Sequence, residues 1–345
     1  MTTVGSRLLV GSVLALDRHD TGAGHPERAP RLAAVARGIE QARLGDAVAT
    51  LAGRPARVEE LARVHGQLYL DALARFSAAG GGDLDPDTHA SEGSWSTAVA
   101  AAGLGLAAIE ALERGEADAA FVAPRPPGHH ATATRAMGFC LLNNVAIAAA
   151  ALTDSGARVV VVDWDVHHGN GTQDIFWNDP NVLYVSTHEW PAYPGTGKAS
   201  ETGGPGAPGL TINVPLPAGA TGDAALAAMD EVVAPVVEAF APDWVLVSAG
   251  FDAHRDDPLA DLAWSAGDYA DLTRRVAEFA PGPGRLVAFL EGGYDLAALA
   301  RSAGATAAAL AGEAFRPEPA TSGGPGRSAV VEAARIRTHS LGGLS

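Results

Sequence analysis

Residues 159–170, VVVVDWDVHHGN, join an apolar β-branched run to a cluster of carboxylates and imidazoles. The four valines predict a strand that is buried on both faces, as in a parallel sheet. Open α/β sheets bind ligands just beyond the carboxyl ends of such strands. Asp165 and His167 are two residues apart, so extended backbone points both side chains to the same side. The cluster therefore indicates a metal site, with a capped strand end carrying solvated charges as the alternative.

The composition of the 345-residue chain is that of a globular protein, with 47% hydrophobic and 19% charged residues. The net charge of −16 and the lack of a basic run argue against direct nucleic-acid binding. The longest apolar stretches, 98–109 and 145–152, are too short to span a membrane. Cys140 is the only cysteine, which suits a reducing compartment and a packing role. We therefore expect a cytoplasmic protein with no membrane partner.

Strand-like and helical patterns alternate along the chain. The β-rich runs are 8–12, 120–123, 158–163, 182–186, 210–214, 243–248 and 285–290. Helices are expected at 29–44, 94–114, 143–153, 223–240, 266–279 and 296–310, with Ser, Asn or Asp near several starts. This alternation predicts a mainly parallel α/β sheet covered on both faces, in a single domain from 1 to 345. Gly/Pro-rich loops are expected at 193–209 and 313–326, the second leading to a short C-terminal helix.

Polar clusters follow the carboxyl ends of four predicted strands. Besides the central run, these clusters are RPPGHH at 125–130, GFDAH at 250–254 and EGGY at 291–294. Because parallel strands end at the same edge of a sheet, the four loops are expected to converge on one active site.

Asp165, His167 and Asp252 form the predicted ligand set, two carboxylate oxygens and one imidazole nitrogen. Three protein ligands leave a position open for water and substrate, as catalytic zinc sites require. Zinc is the default for such a set, although Fe²⁺ also suits mixed oxygen and nitrogen ligands. A helix N-cap is the alternative role for Asp252. His168 is then expected to be a hydrogen-bonded structural neighbour instead of a third ligand.

His129 and His130 follow a Pro-Pro-Gly turn that restricts the backbone. Two adjacent imidazoles beside a metal suit proton transfer in amide hydrolysis without a covalent intermediate. Asp163 and Asn170 are their candidate partners, and a carboxylate favours imidazolium where a neutral amide does not. Two histidines that are merely hydrogen-bonded in a polar core are the alternative.

Tyr294 follows two glycines, whose turn can bring its phenol close to the metal to stabilise an oxyanion. An ordinary core tyrosine is the alternative. Gly138-Phe139 and Tyr193 lie near the same edge and are candidates for the walls of a narrow tunnel, with core packing an equal alternative for the two aromatic residues.

The chain resembles the zinc-dependent histone deacetylase family, in particular its class II-like bacterial members, the histone deacetylase-like and acetylpolyamine amidohydrolases. The resemblance is carried by HPER at 25–28 and by 125–144, 163–173, 193–197, 248–258 and 290–295. It implies an arginase/deacetylase-like open three-layer sandwich around a mainly parallel eight-stranded sheet. It also implies a metal held by Asp165, His167 and Asp252.

The resemblance assigns further roles residue by residue. It implies that His129 and His130 are the catalytic histidines, with Asp163 behind the first and Asn170 as the neutral, class II-like partner of the second. That partner favours His130 as the general base, and Tyr294 is implied to stabilise the transition state. The substrate site is implied to include a rim aspartate, with Asp83 and Asp85 as nearby competitors, and the tunnel walls: Asp87, Gly138, Phe139, Tyr193 and Leu259.

The resemblance also implies a structural potassium ion and a class of substrate. The potassium ligands would be Asp163, Asp165, His167, Ser186 and Thr187, largely through backbone oxygens. Leu259 stands where polyamine-selective eukaryotic relatives carry a glutamate, so acetyl-lysine-like substrates stay plausible. Bacterial acetylpolyamine enzymes obtain selectivity in other ways, including dimerisation, so Leu259 does not exclude polyamines.

Three functions follow from these patterns. The first is a zinc amidohydrolase acting on acylated lysine or polyamine amines, either small molecules or peptides, in a chain that can form homo-oligomers. The second is an arginase-type ureohydrolase, which would need further bridging carboxylates where Gly169 and His254 stand. The third is a module that binds acylated amines without hydrolysis, which loss of Tyr294 or of the histidine pair would have favoured.

Overall fold

The computed structural model describes residues 8–342 and contains ten strands. They are β1 (Leu8–Ser12), β2 (Val48–Thr50), β3 (Gly81–Asp83), β4 (His89–Ser91), β5 (Ala119–Ala123), β6 (Val159–Asp163), β7 (Val182–Glu189), β8 (Thr211–Leu216), β9 (Trp244–Ala249) and β10 (Leu286–Leu290). Eight strands form one sheet in the order β2-β1-β5-β10-β9-β6-β7-β8, and every neighbouring pair is parallel. The predicted eight-stranded parallel sheet is confirmed.

The central strands are buried along their whole length. Every residue of β5, β6, β9 and β10 is buried, and β7 is buried too. Since alternate side chains point to opposite faces, both faces of the sheet are covered. The edge strand β2 was not predicted, because it has only three residues and no apolar run; two of them are half-buried and Thr50 is exposed. The short antiparallel hairpin of β3 and β4 was not predicted either.

Eleven helices complete the described part of the chain. They are α1 (Pro30–Gln41), α2 (Val58–Leu61), α3 (Gln67–Ala78), α4 (Ser94–Glu113), α5 (Asn144–Asp154), α6 (Asn170–Phe176), α7 (Gly222–Ala228), α8 (Ala234–Phe240), α9 (Ala266–Ala277), α10 (Leu296–Leu310) and α11 (Arg327–Gly342). α2, α3 and α6 were not predicted. α11 has 16 residues and is longer than the short helix expected after the loop at 313–326.

The helix expected at 223–240 is interrupted. Between α7 and α8 the backbone forms a π-helical turn, Met229–Val233. Pro235 stands in the first turn of α8, where its ring would clash with the carbonyl four residues earlier in a continuous α-helix. The wider turn avoids that clash.

Polar caps start several helices where the sequence predicted them. Asn143 accepts a hydrogen bond from the backbone nitrogen of Ala146 at the start of α5. Asp295 accepts two such bonds at the start of α10, at 3.0 and 2.7 Å. These caps fix where each helix begins after its strand and loop.

Helix α4 is more apolar than its neighbours. Its 20 residues are long and apolar enough to cross a membrane by length and composition, and they match the helix predicted at 94–114. However, 72% of its most apolar window is buried inside the protein. This burial gives α4 a role in the protein core and accounts for its composition.

Candidate active site

The site lies at the carboxyl ends of four neighbouring strands. β5, β10, β9 and β6 are consecutive in the sheet and parallel. Each is followed by one of the four polar clusters identified in the sequence. The structure therefore brings those clusters to a single edge, as the strand pattern predicted.

Asp165, His167 and Asp252 converge at the centre of this edge. One ligand atom from each lies within 4.8 Å of the other two. His167 Nδ1 is 3.3 Å from Asp165 Oδ1 and 3.2 Å from Asp252 Oδ2. Both carboxylates are fully buried, yet Asp252 Oδ2 has no hydrogen-bond partner among the described residues. A buried anionic oxygen is costly without a partner, so this donor set fits a divalent cation.

The backbone holds both carboxylates by their other oxygens. Gly292 N donates to Asp165 Oδ2 at 2.8 Å, and Val166 N donates to Asp252 Oδ1 at 3.0 Å. A Cβ atom at Gly292 would lie 2.0 Å from Asp252 Oδ2. The close approach therefore requires glycine at this position, and the Gly-Gly pair of the EGGY cluster serves the metal group as well as Tyr294.

The two adjacent histidines have different partners. His129 Nδ1 lies 3.0 Å from Asp163 Oδ2, and His130 Nδ1 lies 2.8 Å from Asn170 Oδ1. The ring centroids are 4.0 Å apart. Because Asn170 accepts through its oxygen, His130 carries its proton on Nδ1 and its Nε2 keeps a free lone pair.

Opposite pKa shifts follow from these surroundings. Burial alone would lower the pKa of His129, but the Asp165 and Asp163 carboxylates outweigh it and raise that pKa well above 6.5. Burial lowers the pKa of His130 well below 6.5, and the neighbouring His129 and His167 lower it further. These opposite directions favour a charged His129 beside a neutral His130, so that His130 can act as a base.

A cavity of about 200 Å³ leads to this group from the surface. It is lined by Asp87, His130, Gly138, Phe139, His167, Tyr193, Leu259 and Tyr294. All five predicted substrate-binding residues therefore line one cavity together with two histidines and the tyrosine. The alternative of core packing is wrong for Tyr193, which is 39% exposed at the cavity.

Aromatic rings set the shape of the cavity. Phe139 stands edge-on to Tyr294, with ring centroids 5.7 Å apart, and Tyr193 stands edge-on to His130 at 5.1 Å. Gly138 has φ +55°, and a Cβ there would lie 2.4 Å from the His130 ring. Only glycine lets the chain turn Phe139 into the cavity at this point.

Tyr294 keeps its proton at neutral pH. Burial raises the pKa of its phenol well above 10, although the Arg31 guanidinium, 5.0 Å from the ring centroid, opposes the rise. A neutral phenol is a hydrogen-bond donor, so Tyr294 can stabilise negative charge that develops on an oxygen in the cavity.

The structure separates the three aspartates near the rim. Asp87 is the one that lines the cavity. Asp85 instead accepts the backbone N–H groups of Asp87 and Thr88. Asp83 pairs with His89 across the hairpin. The geometry supports Asp87 as the rim aspartate.

The residues implied for potassium lie on β6, on β7 and just beyond β6. Asp163 and Ser186 are register partners. Thr187 Oγ1 is buried without a hydrogen-bond partner among the described residues. His168 lies 2.8 Å from Thr196 Oγ1 and 3.0 Å from Gln173 Oε1, which fits its predicted structural role.

Known proteins are similar to this chain in both sequence and fold. The sequence profile of the histone deacetylase domain matches residues 25–310. A "probable deacetylase" of Archaeoglobus fulgidus is 40% identical over 284 residues, covering 81% of this chain and 79% of that protein. A "histone deacetylase-like amidohydrolase" of Pseudomonas aeruginosa is 42% identical over 246 residues, covering 70% of this chain and 65% of that protein. A crystal structure described as the HDA15 HD domain superposes with a TM-score of 0.88 at 36% identity, and each chain is covered to 98%.

The chain belongs to the histone deacetylase family. This relationship confirms the resemblance drawn from the motifs, and it supports a deacetylase, that is, a hydrolase of amide bonds. The fold of this deacetylase-family protein agrees with that assignment over 98% of the chain.

Glu291, which supports the histidine pair, was not predicted from the sequence. Glu291 Oε2 accepts the backbone N–H groups of Gly128 and His129, at 2.7 and 3.2 Å. Burial raises the pKa of Glu291 to about 7. The signal was present, since Glu291 directly follows a strand, but nothing in the sequence pairs it with a loop 163 residues earlier.

A buried ion group behind the cavity was also missed. Glu27 Oε1 accepts hydrogen bonds from Arg31 and Arg125, at 3.1 and 2.8 Å. Arg31 also donates to the carbonyl of Gly293, and Arg125 pairs with Asp17. The available signal was an arginine on the otherwise apolar face of α1.

Asp257 is a third supporting residue that sequence analysis left unassigned. It is 7% exposed, and its carboxylate accepts three backbone N–H groups. Burial and the Asp252 carboxylate raise its pKa to about 7.

Proposed function

We propose that this protein is a metal-dependent amidohydrolase that removes the acyl group from acetyl-lysine or from acetylated polyamine-type amines. The observation that carries the proposal is the composition of one narrow cavity. Its lining brings His167 of the candidate metal group together with a neutral imidazole and a neutral phenol.

Asp165, His167 and Asp252 would hold the cation, for which we propose Zn²⁺, with Fe²⁺ as the alternative metal. When bound, such an ion polarises an amide carbonyl and makes water a stronger nucleophile at neutral pH. The potassium ion implied by the family would lie near β6 and β7, where the unpartnered Thr187 hydroxyl is one available oxygen.

The two histidines have different roles, proton transfer for His130 and charge stabilisation for His129. His130 accepts the proton of the attacking water on Nε2, because Asn170 holds its only proton on Nδ1. His129 stays an imidazolium against Asp163 and stabilises negative charge nearby. The proton on His130 is then available to the leaving amine, which completes hydrolysis without a covalent intermediate.

The cavity favours substrates with a narrow aliphatic chain and does not distinguish acetyl-lysine from acetylated polyamines. Phe139 and Tyr193 would contact an aliphatic chain, and Asp87 would accept hydrogen bonds from the substrate beyond it. Both acetyl-lysine and acetylated polyamines present such a chain. Tyr294 would donate its hydroxyl to the oxyanion.

A substrate panel tests the proposal. Fluorogenic acetyl-lysine, acetylpolyamines and longer acyl amides are assayed before and after chelator treatment, and after Zn²⁺ or Fe²⁺ is restored. We expect turnover that the chelator abolishes and metal restores. Turnover that resists chelation would contradict the metal role. Bound metal without turnover of any acyl amide would favour the binding module.

Tyr294→Phe is tested in the same panel. We expect its turnover to fall about a hundredfold to a thousandfold, as when one oxyanion donor is lost. Tyr269→Phe is the matched control, because Tyr269 is also buried and its hydroxyl has no hydrogen-bond partner among residues 8–342. It should keep wild-type turnover.

The ureohydrolase alternative lacks the carboxylates that a second metal ion would need. It would need carboxylates at 169 and 254, where glycine and histidine stand. The metal group at the cavity has three ligands among the described residues.

A cytoplasmic location and a homo-oligomeric state also belong to our proposal.

A further inference from the structure

The Asp257 carboxylate joins two segments that line the cavity. Its Oδ1 accepts the backbone N–H of Leu259 at 3.1 Å. Its Oδ2 accepts the backbone N–H of Tyr294 at 2.6 Å and that of Asp295 at 3.2 Å. Leu259 belongs to the segment after β9, and Tyr294 to the segment after β10. One buried side chain therefore sets the backbone of both.

The Tyr294 segment depends on such outside support. It follows Gly292 and Gly293, the second with φ +116°, and glycine gives a turn conformational freedom. The Tyr294 hydroxyl has no hydrogen-bond partner of its own within residues 8–342. Its position therefore rests on ring contacts with Phe139 and Arg31, on the hydrogen bonds that hold the two glycines before it, and on its own backbone bond to Asp257.

We propose that Asp257 is a positioning residue, which places the Tyr294 phenol through one carboxylate oxygen and the Leu259 wall through the other. This inference rests on the proposed function, because Tyr294 and the cavity are assigned there. It predicts that the two effects can be separated, since each oxygen serves a different segment.

Two substitutions, Asp257→Asn and Asp257→Ala, separate the effect on Tyr294 from the effect on the Leu259 wall. An asparagine offers one acceptor oxygen, which can still bind the N–H groups of Tyr294 and Asp295, while its NH₂ group faces the N–H of Leu259. Alanine loses all three bonds. Asp261→Asn is the control, because it makes the same chemical change at an exposed position four residues later.

Two measurements are made on each purified, metal-loaded variant. The first is kcat and KM with the best substrate of the panel. The second is the ¹⁹F spectrum of protein labelled with 3-fluorotyrosine, in which the chain has five tyrosines and Tyr294→Phe assigns the Tyr294 signal. The spectrum reports the order of the Tyr294 ring whether or not the protein turns over any substrate.

We expect Asp257→Asn to keep a sharp Tyr294 signal and a kcat close to that of the wild type, with KM raised about fivefold by the loosened Leu259 wall. Asp257→Ala should broaden or split the Tyr294 signal and lower kcat about tenfold to a hundredfold, because a misplaced catalytic group is costly. Asp261→Asn should match the wild type in both measurements.

The inference is overturned if Asp257→Ala leaves the Tyr294 signal unchanged, or if Asp257→Asn lowers kcat as much as Asp257→Ala. If the alanine variant does not fold, the asparagine variant decides, since a normal KM or a reduced kcat would each contradict the separation. Failure of the proposed function is a different result, in which the wild type turns over no member of the panel while the ¹⁹F signals still differ.

Discussion

Two groups of three side chains in the described structure have the spacing of a metal site, and their surroundings differ. Asp165, His167 and Asp252 form the first, and His254, Asp256 and Glu318 form the second. In the first, Asp252 Oδ2 is buried without a hydrogen-bond partner. In the second, arginines already neutralise the acids, since Arg255 lies 2.5 Å from Glu318 and Arg301 lies 2.7 Å from Asp256.

The imidazoles differ in the same way. His254 Nε2 lies 2.8 Å from Glu318 Oε2, and His254 Nδ1 accepts the backbone N–H of Asp256 at 3.1 Å, so both nitrogens are engaged. In the first group, His167 Nδ1 faces both carboxylates, 3.3 Å from Asp165 Oδ1 and 3.2 Å from Asp252 Oδ2, where a cation can take the place of a proton. Spacing alone therefore does not make a metal site, and the carboxylates must also be free of the arginine pairing that the second group has.

The largest expected effect comes from removing one acid of each group. Asp252→Asn should lose the bound metal and about a thousandfold or more in kcat/KM, because the cation supplies several kcal/mol of transition-state stabilisation. Asp256→Asn, the same change in the second group, should keep both. Metal content by mass spectrometry and steady-state kinetics check this. Loss of metal from the Asp256 variant would reverse the comparison.

A charged partner for His130 should have the next largest effect. In Asn170→Asp the carboxylate raises the pKa of His130, so the neutral base is populated only at higher pH. We expect the acidic limb of the kcat/KM profile to move to higher pH, and activity at pH 6 to fall about tenfold. Asn181→Asp, on the surface, is the control. An unmoved profile would remove His130 from the role of base.

The second group should contribute to stability and not to catalysis. Glu318→Gln weakens the bonds to His254 and Arg255, and we expect a loss of about 2 kcal/mol in the free energy of unfolding, with kcat unchanged. Glu313→Gln, at an exposed neighbouring site, should cost much less. Urea unfolding and the substrate assay decide between these outcomes. A fall in kcat would show that the second group reaches the active site.

His65, a buried histidine outside both groups, should make the stability of the protein depend on pH. Its Nδ1 lies 3.0 Å from Thr132 O, and its Nε2 accepts the backbone N–H of Asn143 at 3.0 Å. Burial lowers its pKa to about 4. Because the folded pKa lies below that of the unfolded chain, the contribution is complete above pH 6.5 and is lost as pH falls from there toward 4.

We expect that loss to be about 1.6 kcal/mol between pH 6.5 and 5. His65→Gln keeps a donor and an acceptor but does not titrate, so its melting temperature should depend less on pH over that range. Equal slopes for the two proteins would show that His65 does not carry this part of the acid sensitivity.

The sequence predicted what is local or periodic. Seven of the eight strands in the main sheet were predicted from apolar runs. The Asp-x-His spacing predicted that Asp165 and His167 lie on the same side of extended backbone. Glu291, Arg31 and Asp257 could not be assigned this way, because the contacts that link each of them to the site join residues distant in the chain. Arg31 and Gly293, for example, are 262 residues apart. Such contacts depend on the strand order, which no short motif encodes.

The contact between Arg31 and Gly293 also bears on the synthesis of the protein. A chain still attached to the ribosome acquires Arg31, Glu27 and the histidine pair early, but it gains Gly292 and Tyr294 only when about 85% of the described residues have been made. Until then Asp165 Oδ2 lacks the N–H of Gly292, and the guanidinium of Arg31 lacks the Gly293 carbonyl. Since domains generally fold as units during synthesis, the catalytic machinery would be completed among its last steps.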